Sequence, residues 1–309
     1  MGSRRRHVVV ALLAGLALLA AGCGDDDADE TTGGGEARET ITIGAFNFSE
    51  SAILAAIYEG ALEAEGFTVT VRPNLGSREV VAPALERGEI NLYPGYAATE
   101  LEFFNKGAGE ASPDPQATVQ RLRTHLEPKG ITALDPSPAI DANAFAVTRA
   151  TAERYNLRKL SDLAPVAGQL VLGGPPECPT RPFCALGLEQ TYGIKFREFK
   201  QLDAGGPLSK SALERGDVDV ALIFSSDGAI PARGFVVLED DKKLQNADNV
   251  VPIITTRAAT DDVRRVLNRV SAALTTEELT QMNKRAELDK EDPSVLAEGW
   301  LRENGFTRS

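Results

Sequence analysis

Histidine is nearly missing from this chain. Its 309 residues include two histidines, three cysteines, two methionines and one tryptophan. One histidine, His7, falls in an amino-terminal leader, so only His125 remains for chemistry in the body of the chain. A Ser/His/Asp or Cys/His nucleophile system therefore has one candidate base, on a polar helix face, with no suggestive neighbour. No two-histidine metal motif occurs, and no Gly-rich phosphate loop of the kind that ends Gly-Lys-Ser or Gly-Lys-Thr. No metal and no cofactor is implied. A Lys/Arg-rich block is also missing, which argues against a nucleic-acid partner. Carboxylates are plentiful but scattered as solvated faces and helix starts, and acid/base pairs among them stay open. The weight of these absences is against an enzyme.

What is present begins with an address. Arg4, Arg5 and Arg6 form a basic start, Val8 to Leu19 an apolar run, and Ala20-Ala21-Gly22 precede Cys23. The run is too short to span a bilayer comfortably and has signal-peptide flanks. Small residues directly before a cysteine are the bacterial lipoprotein pattern, in which that cysteine is lipidated and becomes the new amino terminus. Residues 1–23 are thus expected to be a lipoprotein signal ending at lipidated Cys23, with a plain secretory signal as the alternative. Residues 24–39 are acidic and Gly-rich without apolar periodicity, the composition of a disordered linker. The formal charge of −12 becomes −15 when the three leader arginines are removed. No later apolar run is long enough to span a membrane, so an extracytoplasmic, membrane-anchored protein is expected.

Export implies an oxidising compartment. Cys178 and Cys184 lie in the proline-thick loop Pro175-Pro176-Glu177-Cys178-Pro179-Thr180-Arg181-Pro182-Phe183-Cys184, where a disulfide is predicted. Two cysteines without a nearby histidine fall short of a zinc site.

From Thr40 the pattern alternates. Ile41–Gly44 reads as a strand, and Ser49 as the N-cap of a helix to about Ala64 with Ile53, Leu54, Ile57, Ala61 and Leu62 on its apolar face. Phe67–Val71 reads as a strand, Ser77 as the cap of a helix to Arg87, and Ile90–Leu92 as the next strand. That βαβαβ order implies a mostly parallel sheet flanked by helices. After a helix over about 115–127 the pattern restarts, with strands near 145–147, 170–172, 196–199, 218–223, 235–238 and 250–254 and a helix over 208–215. Three helices follow, over about 261–273, 276–286 and 293–304, the last carrying Trp300 and Leu301 as core residues. One repeat stands out. Ala84-Leu85-Glu86-Arg87-Gly88-Glu89-Ile90-Asn91-Leu92 recurs as Ala212-Leu213-Glu214-Arg215-Gly216-Asp217-Val218-Asp219-Val220. Each copy is a helix end, a Gly C-cap and a buried strand. Two copies suit two lobes built alike.

The stretch Ile90 to Thr99 is the candidate site. Pro94 and Gly95 are expected to end the strand, with Ala97–Phe104 a helix starting immediately. Tyr93, Tyr96 and Thr99 would then sit at a carboxyl-terminal strand edge, where open α/β sheets bind ligands.

With these residues laid out, the chain resembles the substrate-binding proteins of ABC importers for quaternary amines, of the glycine betaine/choline/carnitine type. The likeness runs from Ile41 to Phe306. It is carried by Ile43-Gly44, Asn47-Phe48-Ser49-Glu50, Asn74-Leu75-Gly76, Gly88 to Tyr96, Asn143 to Val147, Ser161-Asp162-Leu163, Tyr192-Gly193, Gly216 to Val220, Ser225-Ser226-Asp227-Gly228 and Val237 to Lys242. The resemblance implies an α/β, two-lobed, type II periplasmic-binding-protein clamshell, with lobe 1 formed by 40–143 plus 241–309 and lobe 2 by 144–240. It implies crossings near Asn143–Phe145 and Leu238–Lys242, closure on a small-molecule solute, and docking of the monomer on permease and ATPase subunits.

Family members hold a trimethylammonium head in a box of tyrosines by cation–π attraction. Tyr96 matches one box position and Thr99 the polar position three residues on. Near Ala185 and Lys210 the expected tyrosines are missing, and none occurs between Tyr96 and Tyr155. Phe145 and Phe183 are the aromatic substitutes on offer, and Lys210 would repel a cation if it faced the cleft. The box is incomplete, so a related betaine or another small zwitterion or cation is expected. Helix starts at Ser49 and Ser77 have amides for an anionic group, and Asn47, Ser49, Asn74 and Ser77 have turn-making and capping as equal alternatives. The expected ligand-binding set is Asn47, Phe48, Ser49, Asn74, Gly76, Ser77, Tyr93, Tyr96, Thr99, Asn143, Phe145, Ser225, Ser226 and Asp227. A receptor subunit for a membrane sensor, or an enzyme on the same scaffold, are the alternatives.

Overall fold

The computed structural model describes residues 40–306. The leader, Cys23 and the linker lie outside them. Among the described residues no helix is long and apolar enough to cross a membrane.

In chain order the first half comprises β1 (Ile41–Gly44), α1 (Ser49–Ala64), β2 (Val69–Arg72), α2 (Arg78–Glu86), β3 (Leu92–Tyr96), α3 (Ala97–Phe104), α4 (Pro115–Leu126) and β4 (Ile131–Ala133). There follow β5 (Asn143–Thr148), α5 (Arg149–Tyr155), β6 (Val171–Gly174), α6 (Ala185–Gly187), β7 (Glu198–Gln201), α7 (Pro207–Arg215), β8 (Val220–Phe224), α8 (Ile230–Arg233) and β9 (Phe235–Val237). The chain ends with β10 (Val250–Thr255), α9 (Asp261–Ala273), α10 (Thr276–Lys284) and α11 (Pro293–Glu303).

Two five-stranded sheets result, ordered β2-β1-β3-β10-β4 and β7-β6-β8-β5-β9. Each is mostly parallel with one reversed strand, β10 in the first and β5 in the second. The reversed strand is in each case the one by which the chain arrives from the other sheet. One apolar core surrounds the first sheet and recruits α9 to α11, including Trp300 stacked on Phe306 at 5.5 Å. The second sheet has apolar clusters of its own. The molecule has the two α/β lobes expected from the pattern, in the clamshell that the resemblance implies.

The sequence repeat is a structural repeat down to single hydrogen bonds. Gly88 and Gly216 both take left-handed φ, +72° and +74°, a conformation that costs a residue with a Cβ about 1 kcal/mol or more. The Glu89 amide reaches back to Ala84 O at 2.9 Å, and Asp217 to Ala212 O at 2.8 Å, the same six-residue closure of a helix end. Two residues further on, Asn91 Oδ1 accepts from Thr42 N at 2.8 Å and Asp219 Oδ2 accepts from Val171 N at 2.8 Å. A side chain thereby continues the ladder just before β3 and β8 begin.

Three local expectations are corrected. Pro94 and Gly95 do not end the strand but lie inside β3. Pro94 stands opposite Pro252, and Pro252 turns its carbonyl away, to Leu134 N at 2.9 Å. This is a non-hydrogen-bonded pair, a place in an antiparallel ladder that needs no N–H from either partner. Gly95 is required by packing, since a Cβ there would meet Ile253 at 2.7 Å. Ser49 is the first helical residue of α1 and not its cap; the N-cap is Phe48, without a side-chain bond. Ser77 occupies the N-cap position of α2, but its hydroxyl donates to Glu79 at 2.6 Å and caps nothing.

Asn91→Ala and Asp219→Ala should each lower unfolding free energy, by about 1–2 kcal/mol and to similar extents, because each orphans one strand amide. Urea denaturation measures both, and an unchanged midpoint at either position would contradict the equivalence.

Candidate ligand cleft

A cleft lies between the lobes. Its walls are the segments that follow the carboxyl ends of parallel strands: Phe46 to Phe48 after β1, Ser77 and Arg78 after β2, Tyr96 and Thr99 at the end of β3, Pro175 to Cys178 after β6, Ala204 after β7 and Phe224 at the end of β8. Sheet ends of this kind are the ligand crevices of open α/β folds. The crossing segments add Asp141, Asn143 and Asp248.

Of the expected site residues, Asn47, Phe48, Ser77, Tyr96, Thr99 and Asn143 line this cleft. Ser49, Ser226 and Asp227 line an adjoining cavity that shares Phe48 and Phe224 with it. Tyr93 and Phe145 do not reach either. On a strand, residues three apart point to opposite faces, so Tyr96 faces the cleft while Tyr93 is fully buried with its hydroxyl on Glu100 at 3.0 Å. Phe145 packs in the second lobe's core. Asn74 and Gly76 form a turn with φ of +55° and +127°, braced by Asn47 N to Gly76 O and Leu75 N to Ala45 O; their work is to shape the wall at Phe46 to Phe48. Ser225 is paired with Ala142 through backbone and hydroxyl. Phe183 is buried in lobe 2. Lys210 faces no ligand space uncompensated: it is buried in ion pairs with Asp227 at 2.5 Å and with Glu287. Cys178 and Cys184 are disulfide-bonded, Cα to Cα 5.2 Å, and both stand in the cleft wall.

The rings that reach the cleft are Phe46, Phe48, Tyr96 and Phe224. Phe48 stacks on Phe46 at 5.7 Å and approaches Phe224 of the other lobe at 5.4 Å. Phe224 was missed because no tyrosine-box position predicts a phenylalanine at the end of β8.

Charge in the cleft was also illegible in the sequence. Arg78, 5% exposed, donates through Nε to Glu100 at 2.6 Å, which leaves its terminal nitrogens as donors. Arg181 grips both oxygens of Glu79 at 2.9 and 2.8 Å, bridging lobe 2 to lobe 1. Against these stand three buried carboxyl groups. Asp248 accepts from Thr99 N at 2.8 Å and from the Thr99 hydroxyl, and burial pushes its pKa up to about 6. Asp141 Oδ1 accepts from Ser226 N at 3.1 Å and Oγ at 2.8 Å. Burial, then the neighbouring Glu50 charge, raises its pKa well above the carboxylate range. Glu50 accepts from Tyr96 Oη at 2.6 Å and Asn283 Nδ2 at 2.6 Å and lies 2.5 Å from Ser226 Oγ, whose single proton it shares with Asp141, and burial raises it too. Glu50 and Asp141 lie within hydrogen-bonding reach of each other, so the pair shares a proton. Among the described residues no Lys, Arg or His forms an ion pair with any of the three.

Comparison with known proteins agrees with this geometry. Residues 39–303 match the family described as the substrate binding domain of ABC-type glycine betaine transport system. The chain belongs to this family. It is 28% identical over 284 residues to the carnitine transport binding protein OpuCC of Listeria monocytogenes, covering 88% of this chain and 89% of that protein. It is 25% identical to the glycine betaine-binding protein YehZ of Escherichia coli, covering 88% and 93%. A crystal structure of a glycine betaine/carnitine/choline ABC transporter protein superposes with a TM-score of 0.67 at 27% identity, covering 86% of this chain and 99% of that one. The family is one of transport substrate-binding proteins and not of enzymes.

Asp248 makes stability depend on pH in a defined direction. Its pKa is raised on folding, from 3.8 to about 6, so its contribution is full below the unfolded value and is lost as pH rises through about 6. Between pH 4 and 6 the unliganded protein should lose stability relative to Asp248→Asn, by at most about 3 kcal/mol at roughly 1.4 kcal/mol per pH unit. Denaturation across that window checks it, and parallel profiles for the two proteins would contradict it.

Proposed function

We propose that this chain is the lipid-anchored, extracytoplasmic solute-binding component of an ABC importer. It captures a small zwitterionic or cationic, osmolyte-like solute in the interlobe cleft and delivers it to the permease and ATPase subunits. The observation that carries this reading is the pair of cleft carboxyls, Asp141 and Asp248, buried with no Lys, Arg or His of the described residues at ion-pair distance, Arg78 acting on Asp248 only from beyond it. A buried unpaired carboxylate is costly. A cation entering the cleft removes that cost and becomes its own affinity term. Arg78 and Arg181 in the same walls suit a carboxylate at the solute's other end, since a guanidinium fork takes a carboxylate bidentately. Carnitine and glycine betaine, for which these relatives are named, are zwitterions with this separation of charge.

The lobes in this reading are 40–143 plus 241–309 and 144–240, hinged where the chain crosses twice. Contacts between them, Arg181 to Glu79, Ser226 to Glu50 and Lys210 to Glu287, would hold the closed form that docks on the permease. Cys23 would carry the lipid and residues 24–39 the slack. The protein would act as a monomer.

Thermal-shift measurements against glycine betaine, carnitine, choline, ergothioneine and amino acids test the reading. A true ligand at about a hundred times its Kd stabilises by roughly 2.7 kcal/mol. Phe224→Ala and Tyr96→Ala should each weaken that ligand about tenfold or more. Cys23→Ala should move the protein out of the membrane fraction. If no small zwitterion or cation shifts the melting point, the reading is wrong.

A further inference from the structure

We infer that the cleft selects a solute whose cationic group carries N–H donors, an ammonium or guanidinium, over the quaternary ammonium of the same skeleton. Asp141 and Asp248 are the residues that read it. The inference rests on the capture of a solute in this cleft and names the chemistry of its head group.

Two independent features of the walls lead there. The first is what the rings are doing. A trimethylammonium offers no donor and is held by several aromatic faces standing apart around it. The chain has five tyrosines. Tyr58 and Tyr93 are in the lobe 1 core, Tyr155 packs against the lobe 2 core, and Tyr192 is tied to Asp240 and the Lys242 amide. Only Tyr96 lines the cleft, and its hydroxyl is committed to Glu50. The phenylalanines of the walls are largely packed on one another or on the chain's own cation, with Phe224 of lobe 2 lying 5.4 Å from Phe48 and not apart from it. The chain's own guanidinium, Arg78, stands over Phe46 at 5.4 Å, and Phe48 stacks on the same ring. The cation–π position of Phe46 is therefore filled from within. Phe48 in turn lies 6.2 Å from Tyr96. Arg78, Phe46, Phe48 and Tyr96 all belong to lobe 1, so their packing on one another does not depend on how far the lobes are closed.

The second feature is acceptor capacity. A carboxylate has about four lone-pair sites. Asp248 uses two of them on Thr99, and Asp141 uses two on Ser226 and a further one in its bond with Glu50, so Asp248 keeps the larger spare capacity. Both are more than nine-tenths buried and both face the cleft. A quaternary nitrogen would neutralise their charge but leave the remaining lone pairs facing methyl groups, out of reach of water. An N–H-bearing cation answers both needs at once. Sites built to hydrogen-bond a ligand group discriminate strongly against the analogue that lacks it.

The test is titration calorimetry of the processed protein with methylation series on fixed skeletons. Suitable series are glycine, sarcosine, dimethylglycine and glycine betaine; 4-aminobutyrate and its trimethyl derivative; ethanolamine and choline. Arginine and agmatine serve as guanidinium probes. The expected result is that, in each series that binds, the N–H-bearing members bind about tenfold or more tighter than the quaternary member. Asp248→Asn and Thr99→Val, each verified to melt cooperatively, should shrink that ratio. A quaternary member that binds as tightly as its N–H-bearing counterpart overturns the inference while leaving solute capture intact. Absence of binding by every probe at millimolar concentration overturns both.

Discussion

Two carboxyl groups pressed together at the junction of the lobes constrain the rest of this molecule. Glu50 comes from the first turn of α1, Asp141 from the segment crossing between sheets, Ser226 from beyond β8 in the other lobe, and Asn283 from α10. Glu50, Asp141 and Ser226 are buried, so one proton is shared between the carboxyls and each remaining lone pair needs a donor. Ser226 answers both carboxyls through one hydroxyl and one amide. The closed arrangement of the lobes is thus written into a polar network that only closure completes. Tyr96 belongs to the same network, which makes its hydroxyl a structural strut and leaves its ring as the part exposed to a solute.

The position of that network follows from topology. Both sheets are built in the same order, and each receives its reversed strand from the other half of the chain. The parallel strands of both therefore end facing one space, and the crossing segments run along its floor, bringing Asp141 and Asp248 together through the Asp141 N to Asp248 O bond at 3.0 Å. On either side, Arg181 with Glu79 and Lys210 with Glu287 and Asp227 join the lobes. Charge inside the cleft and charge at its margins have separate tasks. The marginal ions are paired with ions of opposite charge, and the inner carboxyls have no such partner at ion-pair distance among the described residues.

The regular architecture was legible because it is periodic or punctuated. Apolar spacing marks α1, Gly88 and Gly216 mark equivalent helix ends, and the nine-residue match located equivalent strands in two lobes. Where reading failed, the deciding facts were tertiary. Pro94 and Gly95 look like a turn until Pro252 is placed opposite, and nothing local says that this pair needs no amide. Tyr93 and Tyr96 are chemically alike in sequence, and only their alternation along an unbroken β3 sends one inward and one to the cleft. Because the strand was expected to stop at Pro94, that alternation was lost. Asp141, Asp248 and Arg78 left no trace at all, since a charge in a loop looks solvated until the other lobe covers it. Glu50 stood in view beside Asn47-Phe48-Ser49, masked by its resemblance to any acidic residue in a first helical turn.

Asp141 and Asp248 lie buried with no cation at ion-pair distance among the described residues, and a bound solute would supply one. Carboxyl-carbon NMR titration of the protein, free and saturated with the solute that gives the largest thermal shift, measures this directly. Asp248 should titrate near pH 6 in the free protein, with the Glu50 and Asp141 pair also raised. Saturation should move Asp248 and Asp141 downward, because a neighbouring cation favours their charged forms. Titration in the ordinary carboxylate range without solute, or values that do not move when it binds, would contradict the account.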